Sequence, residues 1–72
     1  MKRIHLDDWT ICTKDDSFII QDTDKAALFD NEKNLILILT ITKDKSLQIE
    51  KCAHLVHCEV DFLTQSIDID FF

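Results

Sequence analysis

Apolar residues come in short blocks along this chain, and polar breaks rich in aspartate separate them. The breaks are Lys14-Asp15-Asp16-Ser17, Asp22-Thr23-Asp24-Lys25, Asp30-Asn31-Glu32-Lys33-Asn34 and Lys43-Asp44-Lys45-Ser46. Their spacing of about 8 to 12 residues is the rhythm of short antiparallel strands joined by tight loops. The chain has no glycine and no proline. Aspartate and asparagine must therefore make the turns, because their short side chains bond nearby backbone groups and tolerate the left-handed region.

Between the breaks the side-chain period is mostly two. Ile4 and Leu6 open a first strand. Trp9, Ile11 and Thr13 alternate with Thr10 and Cys12, and Ser17 to Gln21 reads as the return arm of a hairpin. Ala26-Ala27-Leu28-Phe29 fits either a short strand or one helical turn. Asn34 to Thr42 is the most secure strand, with Leu35, Leu37, Leu39 and Ile41 on one side and Ile36 and Ile38 on the other. Apolar on both sides at its start, it predicts a central strand covered on both faces. Ser46 to Ile49 returns as a further strand. In the tail Ile67, Ile69 and Phe71 face one way and Asp68 and Asp70 the other, which predicts a last strand with an acidic outer face.

Residues 50–63 break the period. As a helix they align Ile49, Cys52, Ala53, Val56, Val60 and Leu63 on one stripe, with His54, His57, Cys58 and Asp61 on another. As a strand the alternation slips near Leu55-Val56, which demands a bulge or a break. The expectation is an α+β fold: an antiparallel sheet of about four to six short strands with one amphipathic helix at about 50–63. An all-β domain is the alternative.

Seventy-two residues make one domain, residues 1–72. A chain this short buries only about 60% of the surface its unfolded form exposes, so association with a copy of itself or with a partner is an expected remedy. Isoleucine is abundant, with ten residues, whereas alanine and arginine are scarce alongside the missing glycine and proline. AT-rich coding explains that bias without physical design. Whatever its origin, a glycine-lined phosphate cradle is excluded.

The formal charge is −6, which argues against direct nucleic-acid backbone binding, since that relies on Lys and Arg replacing counterions. The longest unbroken apolar run, Leu35 to Leu39, is too short to span a bilayer. Nothing resembles a signal peptide, and the three cysteines, Cys12, Cys52 and Cys58, are an odd number. Reduced thiols and a cytoplasmic location are expected.

Candidate chemistry is sparse. Cys52, His54, His57 and Cys58 are the one dense group of metal donors, and on a helix His54, His57 and Cys58 would share a side. Their spacing matches no paired zinc-finger pattern, so buried thiols and surface imidazoles are the plainer account. No family signature surrounds a nucleophilic cysteine. The pairs Asp22/Asp24 and Asp68/Asp70 lack the glycine and the distal glutamate of a calcium loop. Trp9 and the Phe71-Phe72 terminus are core residues or, more sharply, interface anchors.

The function expected is that of a non-enzymatic acidic protein that needs no cofactor. It would occlude a basic protein surface stoichiometrically through Asp7, Asp8, Trp9, Asp68, Asp70, Phe71 and Phe72. Small inhibitors from phage or mobile elements, and immunity or antitoxin proteins, are of this type. A zinc-binding regulatory module and a self-assembling structural subunit are the alternatives.

Overall fold

The structure, a computed structural model, describes residues 1–52 and 56–71. Eight strands follow in order: β1 (Lys2–Leu6), β2 (Trp9–Thr13), β3 (Phe18–Gln21), β4 (Lys25–Phe29), β5 (Leu35–Ile41), β6 (Leu47–Lys51), β7 (Val56–Asp61) and β8 (Ser66–Phe71). They form two four-stranded sheets, ordered β1-β2-β8-β7 and β3-β4-β5-β6. The central four strands are a simple antiparallel meander. The first sheet is built from the two terminal hairpins, which meet along a parallel seam pairing Thr10 with Ser66, Ile11 with Ile67 and Cys12 with Asp68.

The sheets share one core. Leu6, Trp9, Ile11, Ile67, Ile69 and Phe71 from the first pack against Ala26, Leu28, Ile36, Leu37, Leu39 and Ile41 from the second. All four aspartate-bearing breaks are turns or bends. In the third, Asp30 Oδ1 accepts the Glu32 and Asn34 backbone N–H groups, each at 2.9 Å. The tail alternates as its sequence predicts: Ile67, Ile69 and Phe71 are buried, Asp68 and Asp70 exposed.

The α+β expectation is corrected to the all-β alternative, because the described residues contain no helix. Residues 56–61 are a strand paired antiparallel with β8, from Val56–Phe71 to Asp61–Ser66. The reason lies in β8. Its inward side chains make it a core strand, and its backbone groups on the side away from β2 find their partners in β7. In β7, Val56, Cys58 and Val60 are half-buried while His57, Glu59 and Asp61 are exposed. The proposed helical stripe is dispersed, with Leu63 left 97% exposed. The phase slip expected near Leu55-Val56 falls partly outside the described residues; β6, which ends at Lys51, and β7, which begins at Val56, belong to different sheets.

The first expected hairpin is also corrected. β2 and β3 lie in different sheets, and the Lys14–Ser17 turn carries the chain between them. Ser17 donates to the Lys14 carbonyl from both its N–H (3.2 Å) and its Oγ (2.6 Å), which allows it to be buried.

β5 is central, but its alternation is interrupted. Leu28 pairs with Leu37, yet Phe29 pairs with Leu35, so Ile36 is the extra residue of a β-bulge. A bulge turns two successive side chains toward the same side. Ile36 and Leu37 both enter the core, and Leu35 is swung outward.

With no glycine present, Asp7, Lys33, Lys45 and Gln65 occupy the left-handed region, at φ of 54°, 66°, 69° and 52°. Each side chain there costs about 1–2 kcal/mol relative to glycine's freedom. Against this, a new glycine loosens the unfolded chain by roughly 0.4–1 kcal/mol. Lys33→Gly is therefore expected to stabilise the fold by about 0.5 kcal/mol, read as a rise of a few degrees in Tm.

Candidate functional site

Four turns of the hairpins and the meander meet at one end of this molecule, and each is placed there by contact. Asp7, Thr23, Asp24, Thr42, Lys43 and Lys45 line one hollow of about 240 Å3. The β7–β8 turn joins them, since Gln65 O accepts the Thr10 backbone N–H at 2.9 Å and Phe62 stands against Trp9. The turns at 7–8, 22–24, 42–46 and 62–65 thus share one end of the sandwich. The parallel seam causes this, because starting β2 and β8 side by side puts both terminal hairpin tips at the same pole.

Charge is concentrated there. Asp7, Asp8, Asp22, Asp24, Asp44 and Asp61 gather with only Lys25, Lys43 and Lys45. Six acids less three bases leave −3, half of the formal −6. At the opposite end Asp15, Asp16, Asp30, Glu32 and Asp70 stand against Lys2, Lys14, Lys33 and Lys51, five acids less four bases, or −1. Lys45 bridges to Asp7 at 2.9 Å, and the Asp7 carboxylate raises the Lys45 pKa first through that bond and then through its charge.

Within this acidic end stand two apolar side chains, Phe62 (72% exposed) and Leu63 (97% exposed). Their turn is held from below. Asp61 Oδ1 accepts the N–H groups of Leu63 (3.0 Å) and Thr64 (3.3 Å). The Thr64 bond, then that of Leu63, pulls the Asp61 pKa below its ordinary value. The Phe62 ring meets Trp9 edge-on, with centroids 5.8 Å apart and an interplanar angle of 88°. An apolar tip fixed in this way loses little freedom on docking.

The residues singled out from the sequence are dispersed. Asp7 and Asp8 lie at the acidic end. Trp9 is 3% exposed and Phe71 8%, both in the core; Phe72 lies outside the described residues. Asp68 and Asp70 sit on the outer face of the first sheet. Asp70 is about 13 Å along β8 from Ser66, the residue at the hairpin end, by strand rise. Asp68 is directly opposite Glu59, and Asp70 opposite His57. Lys14 Nζ stands 3.4 Å from Asp70 and caps the Phe71 carbonyl. Two carboxylates face to face repel, so Glu59 and Asp68 extend the negative surface downward from Asp61.

The outer face of the first sheet is also concave. Cys12, Lys14, His57, Glu59, Asp68 and Asp70 line an open hollow of about 520 Å3. Cys12 and His57 belong to strands separated by β8, a separation of about 10 Å, too far for a nucleophile and its base.

The metal candidates divide likewise. His57 points outward and Cys58 inward on β7, while Cys52 is exposed after the end of β6. The shared helical side proposed for His54, His57 and Cys58 is replaced by strand alternation, and His54 lies outside the described residues. Among the described residues, no three His, Cys, Asp or Glu side chains gather as donors. Burial, only partly offset by Lys51, raises the Cys58 pKa, so its thiol is a packing group and a poor nucleophile.

Phe62 and Leu63 were missed because the helical reading of 50–63 assigned Leu63 to a buried stripe. The signal for them is present in Asp61: an aspartate before Phe-Leu-Thr is the side chain that bonds N–H groups two and three residues on. No known family, curated protein or solved structure matches this chain. Among the described residues no helix is long and apolar enough to cross a membrane.

Phe62→Ala should shift the emission of Trp9, the sole tryptophan, to longer wavelength and lower stability by about 0.5–1.5 kcal/mol, the worth of an aromatic pair. Asp61 has a depressed folded pKa, as do Asp30 and Asp44, which accept bonds from Asn34 and Thr42. Their contribution is complete above the unfolded carboxylate value, near 3.9, and is lost as pH falls through the lower folded values. Thermal melts should hold level from neutral pH to that value and fall below it.

Proposed function

We propose that this chain is a non-enzymatic, cytoplasmic binding protein. It would act by occluding a basic protein surface with its hairpin end, in the manner of small inhibitor or immunity proteins. One observation carries this reading: the rigid Phe62-Leu63 tip, the most exposed pair of large apolar side chains on adjacent residues, stands within the pole that holds half the net charge. The combination is that of an apolar contact with an acidic rim. Charge steers the approach and suppresses wrong partners, while a desolvated aromatic supplies the binding energy.

Relative to the sequence reading, the acidic-rim mechanism is retained and the anchor moves. Phe62 and Leu63 take the part given to Trp9, Phe71 and Phe72, while Asp7 and Asp8 keep theirs beside Asp61. The plain alternative, a charge that only keeps a small domain in solution, leaves the exposed phenylalanine beside it without a role.

The test is capture from native host lysate, followed by affinity measurement with the captured protein. Phe62→Ser together with Leu63→Ser should weaken binding at least tenfold, since anchors at the centre of an interface carry about 2 kcal/mol or more. Asp70→Asn, at the far end, should change it less than twofold. Raising salt from about 0.05 to 0.3 M should also weaken the complex. Affinity indifferent to both the tip and the ionic strength sinks the proposal.

A further inference from the structure

The outer face of the second sheet breaks the rule that an antiparallel sheet with one covered side turns polar residues to the other. Register places Phe18, Phe29 and Leu35 in one outward row, and Ile20, Ala27, Ile38 and Glu50 in the next. A third row holds Lys25, Thr40 and Gln48. Six adjacent outward positions are thus apolar, and Ile20 (67%), Phe18 (48%) and Leu35 (36%) are exposed. The bulge at Ile36 helps to make this patch, because it is what turns Leu35 outward. Isolated surface apolar residues need no explanation, but a contiguous patch does.

From this we infer that the outer face of the β3–β6 sheet is covered by the same face of a second copy of the chain. Charge selects that occupant. The outward positions of these strands carry one lysine, Lys25, and one glutamate, Glu50, so the face is neutral on a chain of formal charge −6. Two copies can meet here without bringing net charge together, while their acidic poles remain in water. The corresponding face of the first sheet presents Glu59, Asp61, Asp68 and Asp70 against Arg3 and Lys14, and would repel its own copy.

The mode of contact also follows. Lys2 donates to the Ser17 carbonyl and Gln21 to the His5 carbonyl. These bonds tie β1 to β3 and occupy acceptors on that pair of sheet edges. The apolar positions lie on the face and not on an edge, so the contact is face stacking, with two sheets about 10 Å apart and strands near −30°, related by a two-fold axis. The molecule is 20 Å across. A footprint of that width, roughly 20 Å square, buries on the order of 1,000 Å2 over both copies, the lower limit for a specific interface. The dimer is therefore weak, with a dissociation constant between about 10 μM and 1 mM.

Sedimentation velocity across that range should show monomer passing to dimer. Ile20→Lys, at a position two-thirds exposed, should keep the chain monomeric throughout, with Trp9 emission confirming that the variant is folded. Phe62→Ser, at the opposite functional end, should leave the dimer within twofold of its original affinity. Leu35→Lys provides a second face variant, expected to behave as Ile20→Lys does. A monomer at about 1 mM overturns the inference, whether the face then proves bare or covered by another protein. So does a dimer that survives both lysine substitutions, or one abolished by Phe62→Ser.

Discussion

The parallel pairing of β2 with β8 decides which parts of this chain become neighbours. It is a short seam between two hairpins from opposite ends of the sequence, and no turn enforces it. What holds it in place is burial. Ile11 and Ile67 lie side by side at 1% exposure each, facing the meander that forms the other layer. A sheet of two hairpins joined in the antiparallel sense would present the same apolar side, but would send the Asp7-Asp8 and Phe62-Leu63 turns to opposite poles. The direction of one strand pair therefore converts two unrelated turns into a composite surface. It also makes β8 internal, with β7 as its second neighbour.

Much of the architecture was legible because it is written in local alternation. Three of the four aspartate-bearing breaks become turns in which Asp22, Asp30 and Asp44 bond following N–H groups, a capacity of the residue type that needs no tertiary context; in the first, Ser17 bonds back to the Lys14 carbonyl instead. The tail was legible for the same reason: Asp68 and Asp70 cannot lie inward, so Ile67, Ile69 and Phe71 must. Residues 50–63 were not, because Val56 and Val60 fit a helical stripe and a strand face equally well. Only the neighbour on β8 separates the two, and that neighbour is remote in sequence. The bulge at Ile36 was hidden as well, since a run of five leucines and isoleucines carries no mark of where the pleat skips.

The candidate site was legible in kind and not in place. Acidic charge around apolar contacts is a property of composition, and composition survives any fold. Which aromatic is inside and which is outside depends on the packing of both layers: of the two roles open to Trp9, core residue or interface anchor, it takes the first, and fills the core against Phe62. The two surfaces discussed here divide the molecule by chemistry, one polar end rich in carboxylate and one neutral apolar side. They lie roughly at right angles, so occupation of one leaves the other open.

Four strands side by side and two layers account for the two 20 Å dimensions, which leaves the 33 Å axis running along the strands. Half the net charge sits at one extremity of that axis, while the other extremity is nearly balanced. Such a body carries a permanent electric dipole along its length, and a cationic target exerts a torque on it before any atoms touch. If the proposed basic partner exists, the molecule would rotate during diffusion so that Phe62 and Leu63 arrive foremost, and the fraction of correctly oriented collisions would rise with the field rather than with the area of the tip.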